Sequence, residues 1–183
     1  SSHHPYNIPA RYENVFKGGS MTIYRTIQFT DEAIPRFFGK ASTMPWFNNT
    51  LFVITADHCS AQVKYDEYLT QAGYFRIPLI FYHPGSDLRG IRDDLAQQTD
   101  ILPTVMGYLK VPEPYIAYGS DLLDTASEKF VFNYLDNTYN LFEGDYLLLH
   151  DGSKPISLYR FRSDVMLKEN VMKQFPDVVA RME

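Results

Sequence analysis

The spacing of apolar positions changes along the chain, and each change predicts an element. Residues 1–18 carry Pro5 and Pro9, run into Gly18-Gly19, and read as an irregular lead-in. Ser20 is a candidate helix cap. After it Ile23, Tyr24, Ile27, Ile34, Phe37 and Phe38 recur at helical spacing and give one apolar face. Pro35 is expected to kink or restart that helix, because it lacks the N–H for one turn bond. "TMPWFNN" makes a turn. Leu51 to Ala56 is apolar apart from Thr55, the pattern of a strand covered on both faces, as in a parallel sheet under helices. "IPLIFY", Ile77 to Tyr82, predicts a second such strand, and "HPGSDLRG" a loop. Asp93 to Leu109 predicts a second amphipathic helix, with Asp93 or Asp94 near its start and Pro103 inside. The order helix, strand, strand, helix indicates an α/β sheet with flanking helices.

After about Pro112 the texture changes. "KFVFNYL", "YNLFEGDYLLLHDG" and "ISLYRFRSD" hold short strands separated by Asp-Asn, Glu-Gly-Asp and Asp-Gly turns, which predicts an antiparallel meander. A final helix is expected over about Leu167 to Met182. The chain therefore divides into residues 1–111, an α/β part, and residues 112–183, a small antiparallel subdomain with a terminal helix.

Composition narrows the function. The chain has 183 residues, 45% hydrophobic and 21% charged, which suits a globular protein of one domain with at most a small appendage. A net charge of -5 and the lack of any Lys/Arg cluster argue against a nucleic-acid partner. The single cysteine excludes an internal disulfide and a cysteine-rich zinc site. No apolar run reaches the roughly 20 residues that a membrane span needs. The chain opens on "SSHHPYNIP" without an initiator Met, so it is expected to be a fragment of a longer protein.

Chemistry concentrates where the first predicted strand ends. In "LFVITADHCS" the apolar run stops at Asp57, His58 and Cys59. Adjacent side chains of a regular strand point to opposite faces. Where the backbone bends out of the strand they can converge, and the carboxyl edge of an α/β sheet is where ligands gather. A carboxylate oxygen and an imidazole nitrogen together suit Zn, Mn or a similar divalent ion. The plainer reading is a loop-capping Asp and an ordinary hydrogen-bonding His.

"PWFNNTLFVITADH", followed by "RIPLIFYHPG" and "QQTDILPTVMGYL", resembles the sulfatase branch of the alkaline phosphatase superfamily, and most closely its lipoteichoic acid synthase-like (phosphoglycerol transferase) proteins. "SSHHPYNIP", "YRTIQFTDEAIPRFF", "PYIAYGSDLL" and "GDYLLLHDG" extend the likeness, in the same order, over nearly the whole chain. The resemblance implies part of an alkaline phosphatase-like, mostly parallel sheet. It also implies a metal-dependent phospho- or sulfo-ester enzyme of the bacterial cell envelope, membrane-anchored through a missing N-terminal part. Asp57 and His58 match the family's metal-binding pair, with Mn or Zn expected and Mg or Ca as alternatives. His3 matches the His of a His-x-Pro motif beside the transferred group, where an imidazolium could bond anionic oxygens or protonate a leaving group. The implied substrate is a phospholipid-headgroup or a sulfate or phosphate ester.

Departures from the family pattern shape the expectation. Cys59 lacks the Cys-x-Pro-x-Arg setting of a formylglycine precursor and reads as a small filler. The nucleophile and the remaining metal ligands of the family lie in an N-terminal half that nothing here matches. The chain alone is therefore expected to be inactive, and to self-associate through apolar surface. Asp31 reads either as support for the site or as a helix residue bonding a nearby loop. Asp100 reads as ordering the junction beside its helix. Lys64, Tyr65, Glu67 and Tyr68 read as lining a cleft, with Lys64 holding an anion, or as a solvated charged loop, and Arg76 reads as an anion contact or as a cation that faces solvent or pairs with a carboxylate. Two rival functions stand beside the enzyme: a non-catalytic module binding a glycan or lipid headgroup, and a structural α/β domain in which the Asp-His pair is incidental.

Overall fold

A computed structural model describes residues 4–60 and 62–183. Its order is helix α1 (Ile23–Ala41), strand β1 (Phe52–Thr55), β2 (Leu79–Tyr82), α2 (Ile101–Tyr108), β3 (Phe130–Leu135), β4 (Thr138–Glu143), β5 (Tyr146–His150), β6 (Pro155–Tyr159) and α3 (Pro176–Met182), with single 3-10 turns between. β1 and β2 are neighbours in a two-stranded sheet, and β3 to β6 form a second sheet in chain order. The chain separates into two compact units, one of Ser1–Phe52, Ser60–Lys64 and Ile80–Leu88, the other of Val53–Cys59, Tyr65–Leu79 and Arg89–Glu183.

In the first unit, α1 runs through Pro35 without a break. One missing N–H is tolerated within a helix of 19 residues. Ile23 and Thr26 are buried, and the Thr26 hydroxyl donates to the Ile23 carbonyl (2.7 Å). An aromatic cluster gathers around Phe52: Phe38 lies 5.1 Å, Phe47 5.6 Å and Tyr82 5.9 Å away between ring centroids. Farther along the predicted apolar stripe, Ile27, Ile34 and Phe37 remain 42–53% exposed. Asp31, on the same stretch, is exposed on α1.

In the second unit the meander is regular and antiparallel. Asp136 and Asn137 both take positive φ (51° and 59°), the two-residue turn whose twist matches its flanking strands. Leu148 and Leu158 of the sheet pack with Val171, Val179 and Met182 into the core under α3.

Two helices are shorter than their sequence pattern predicts. The second begins at Ile101, not near Asp93, because Gln97 is extended (φ -138°, ψ 162°) and caps a 3-10 turn over Gln98–Asp100 reciprocally with Asp100. The terminal helix begins at Pro176, a residue suited to a first helical turn. Before it, Asn170 and Val171 bond to the edge strand: the Leu158 N–H donates to Asn170 Oδ1 (3.2 Å), and the Val171 N–H donates to the Leu158 carbonyl (2.8 Å). Those bonds replace helical ones and cover an otherwise open edge.

Candidate functional site

β1 ends at Thr55, and Asp57 and His58 follow in a bend. The two side chains converge. Asp57 Oδ2 lies 3.6 Å from His58 Nε2, and the side chains are 88% and 74% exposed respectively. Each is oriented by its other polar atom. Asp57 Oδ1 accepts the His58 backbone N–H (3.0 Å), which leaves Oδ2 toward the imidazole. His58 Nδ1 lies 2.7 Å from the Cys59 carbonyl oxygen. A carbonyl can only accept, so Nδ1 carries the proton and Nε2 presents a lone pair. The pair is thus neither splayed apart nor packed away from solvent.

The backbone beneath the pair is held from a distant turn. Gln98 Nε2 donates to the carbonyl oxygens of Ala56 (2.7 Å) and Asp57 (3.3 Å). Gln98 belongs to the turn that Asp100 caps. Asp100 is 2% exposed and accepts the N–H groups of Gln97 (2.8 Å) and Ser120 (2.7 Å), so it orders the junction beside α2 as its place in "QQTD" suggested. Gln98 itself is not singled out by sequence reasoning. The only cue was its place beside a capping residue.

Asp57 and His58 open onto a cleft of about 890 Å³ within the second unit, whose wall includes Arg76, Arg92, Asn133 and Arg162. Arg92 is committed to Asp94 (2.5 Å) and to the Leu122 carbonyl (2.7 Å). Arg162 is committed to Asp145 (3.1 Å) and the Asp93 carbonyl (2.9 Å). Glu67 lines the same cleft. Cys59 is half-buried and contributes its carbonyl, not its thiol, to the geometry just described. His3 lies outside the described residues.

A carboxylate oxygen and an imidazole nitrogen 3.6 Å apart are close enough to reach one ion at bond lengths of about 2.0–2.2 Å. The donor set therefore fits a divalent cation of the Zn or Mn type. Among the described residues no group of three or more His, Cys, Asp or Glu could hold a metal, so the pair offers two ligands.

Comparison with known proteins places the chain in a family. The sulfatase family model matches residues 1–111. An arylsulfatase of Clostridium perfringens is 26% identical over 124 residues, covering 64% of this chain and 26% of that protein. Lipoteichoic acid synthase 1 of Bacillus subtilis is 21% identical over 187 residues, covering 93% of this chain and 28% of that protein. The chain thus spans about a quarter of the length of the curated relatives it matches. A solved alkaline phosphatase superfamily protein from Vibrio parahaemolyticus shares the fold, with a TM-score of 0.67 and 23% identity over 89% of this chain and 40% of that one. The mixed α/β architecture is that of these alkaline phosphatase-like proteins, and the chain belongs to the sulfatase family, in the branch that includes lipoteichoic acid synthase-like proteins.

Proposed function

We propose that the chain is the C-terminal part of a metal-dependent enzyme that transfers or hydrolyses phosphoglycerol-type or sulfate esters, with Asp57 and His58 as two ligands of a divalent cation, Mn or Zn. The observation that carries this reading is the 3.6 Å approach of Asp57 Oδ2 to His58 Nε2, with Nδ1 occupied by the Cys59 carbonyl. When bound, the ion would screen the ester's negative charge and lower the pKa of an attacking hydroxyl.

The chain's own residues prepare that site. Asp57 and His58 supply one anionic and one neutral donor. The Cys59 carbonyl fixes the imidazole tautomer, the kind of support that raises ligand basicity. Gln98 holds the backbone that carries the pair. His3 is assigned by resemblance to the transferred group, where its imidazolium would bond the anionic oxygens or protonate the leaving group. Two protein ligands bind a cation weakly, and the nucleophile is supplied by sequence other than this, so the chain by itself has no turnover. Among the described residues no helix is long and apolar enough to cross a membrane. The parent enzyme works at the bacterial cell envelope, with its catalytic domain outside the cytoplasm and its anchor in another segment. The phosphoglycerol chemistry is favoured over arylsulfate cleavage because "TDEAI" and "PWFNNTLFVITADH" resemble that branch more.

The test is a Mn titration of the chain, followed by paramagnetic broadening. Resonances of Asp57 and His58 should broaden first, and Asp57→Asn and His58→Gln should each abolish the effect. Broadening elsewhere, or its survival in both variants, would overturn the assignment. Hydrolysis of an aryl phosphate or aryl sulfate by the chain with added Mn would refute its inactivity.

A further inference from the structure

The Asp57–His58 pair is half of a coordination sphere. Among the described residues it supplies two ligands, whereas a closed zinc site takes four, arranged as a tetrahedron. The separation of the two donors favours that shape. With bonds of about 2.0–2.1 Å, two corners of a zinc tetrahedron lie about 3.3–3.4 Å apart. Manganese takes an octahedron of oxygen-rich ligands, and with bonds of about 2.2 Å its neighbouring corners lie about 3.1 Å apart. Asp57 Oδ2 and His58 Nε2 are 3.6 Å apart, nearer the tetrahedral edge.

Exposure and charge narrow what fills the other two corners. The Asp57 and His58 side chains are 88% and 74% exposed, so the pair faces solvent. Both donors are already aimed. Nδ1–H of the imidazole is spent on the Cys59 carbonyl (2.7 Å), and Asp57 Oδ1 accepts the His58 N–H (3.0 Å). A second identical pair, related by a two-fold axis, brings one more carboxylate oxygen and one more imidazole nitrogen. Two carboxylates balance the double positive charge of one zinc ion, and the two imidazoles bind as neutral ligands. Each chain carries a net charge of -5, so two copies repel at this face until a cation lies between them.

We propose that one zinc ion joins two copies of this chain, with Asp57 and His58 from each copy completing a four-ligand site. This rests on the metal-pair reading and adds a demand of its own: one ion for two chains. Mn, whose octahedron takes water readily, stays on a single chain.

The test is light scattering of the 183-residue chain as zinc is added from zero to large excess, with a chelator-treated sample as reference. The mass should double relative to that reference at one zinc per two chains and return when chelator is added. It should fall again in large excess, where each chain takes its own ion. Mn should not raise the mass. Asp57→Asn and His58→Gln, both at exposed side chains, should each abolish the doubling. The Nε2 resonance of His58 should shift over the same range of zinc. A doubling that survives in both variants, or one that grows steadily into excess zinc, would overturn the shared site. A His58 shift that saturates at one zinc per chain with no gain in mass would also overturn it, and would leave the metal-pair reading standing. Neither a His58 shift with zinc nor broadening with Mn would sink both.

Discussion

Replacing Asp100 tests the chain of contacts that runs from a helix cap to the backbone of the Asp57–His58 pair. Its carboxylate accepts from Gln97 (2.8 Å) and Ser120 (2.7 Å) and is 2% exposed. Hydrogen bonds to a charged acceptor contribute about 1.5–3 kcal/mol each, and loss of the acceptor strands two N–H groups. Asp100→Ala should therefore destabilise the second unit by about 3–5 kcal/mol. Asp100→Asn keeps one oxygen but turns an NH₂ toward the other donor, so it should cost about half as much. With a urea slope near 2 kcal/mol per molar, the Ala variant should unfold about 1.5–2.5 M earlier by circular dichroism. Two neighbours give an internal check. A Cβ on Gly119 would sit 2.5 Å from Asp100 Oδ1 and from the Thr99 carbonyl, so Gly119→Ala should also destabilise. Thr104, fully buried, donates to the Asp100 carbonyl (2.6 Å) and accepts from Leu122 (2.9 Å), so its loss should couple with that of Asp100 in a double-mutant cycle. An Asp100→Ala midpoint within about 0.5 kcal/mol of wild type would refute the claim that this cap organises the junction.

Gln98→Ala removes both carbonyl contacts beneath Asp57 and should weaken Mn binding about tenfold or more with little change in the unfolding midpoint, whereas equal loss of both would make Gln98 a structural residue only. The Asp151 carboxylate accepts the N–H groups of Ser153 (2.8 Å) and Lys154 (2.9 Å), and those bonds hold its pKa below the ordinary 3.8. Its stabilisation is thus present above the unfolded value and fades as pH falls through the lowered folded value, so thermal melts of Asp151→Asn should differ from wild type at pH 6 and converge with it in strong acid. Ile27, Ile34 and Phe37 are exposed on α1, and burying such a side chain contributes about 1.5–3 kcal/mol. The chain should therefore associate at high concentration, and Ile34→Glu with Phe37→Glu should return it to a monomer in light scattering; a wild-type monomer at all concentrations would count against this.

The parts of the fold written in local sequence were legible. Helical spacing from Ile23 to Phe38 gave α1, and the Asp136-Asn137, Gly144 and Gly152 turns gave all four strands of the meander. The two shortened helices were not legible, because each is stopped by a partner distant in sequence or by a side chain acting on its own backbone. Amphipathic spacing over Asp93 to Leu109 says nothing of Gln97 and Asp100 capping one another. The pattern over Leu167 to Met182 says nothing of Leu158 taking the bonds of Asn170 and Val171. The same divide holds at the candidate site. Asp57 and His58 are neighbours in the chain and could be read together, whereas Gln98 reaches the Ala56 and Asp57 carbonyls across 42 and 41 positions.

The arrangement also explains how two consecutive residues share a target when a strand would send them to opposite faces. Pairing ends at Thr55, whose hydroxyl donates to the Pro78 carbonyl (2.9 Å), and the next two carbonyls turn to Gln98 instead of a neighbouring strand. Once the backbone has left the pleat, two short local bonds suffice to aim the side chains: the His58 N–H to Asp57 Oδ1, and Nδ1–H to the Cys59 carbonyl. Neither uses the Cys59 side chain, so residue 59 is free to vary so long as its carbonyl keeps its direction. A thiol nucleophile would demand the opposite, an activated Sγ with an adjacent base. The short polar contact between Cys59 and His58 runs through the carbonyl, which makes residue 59 a backbone support for the imidazole.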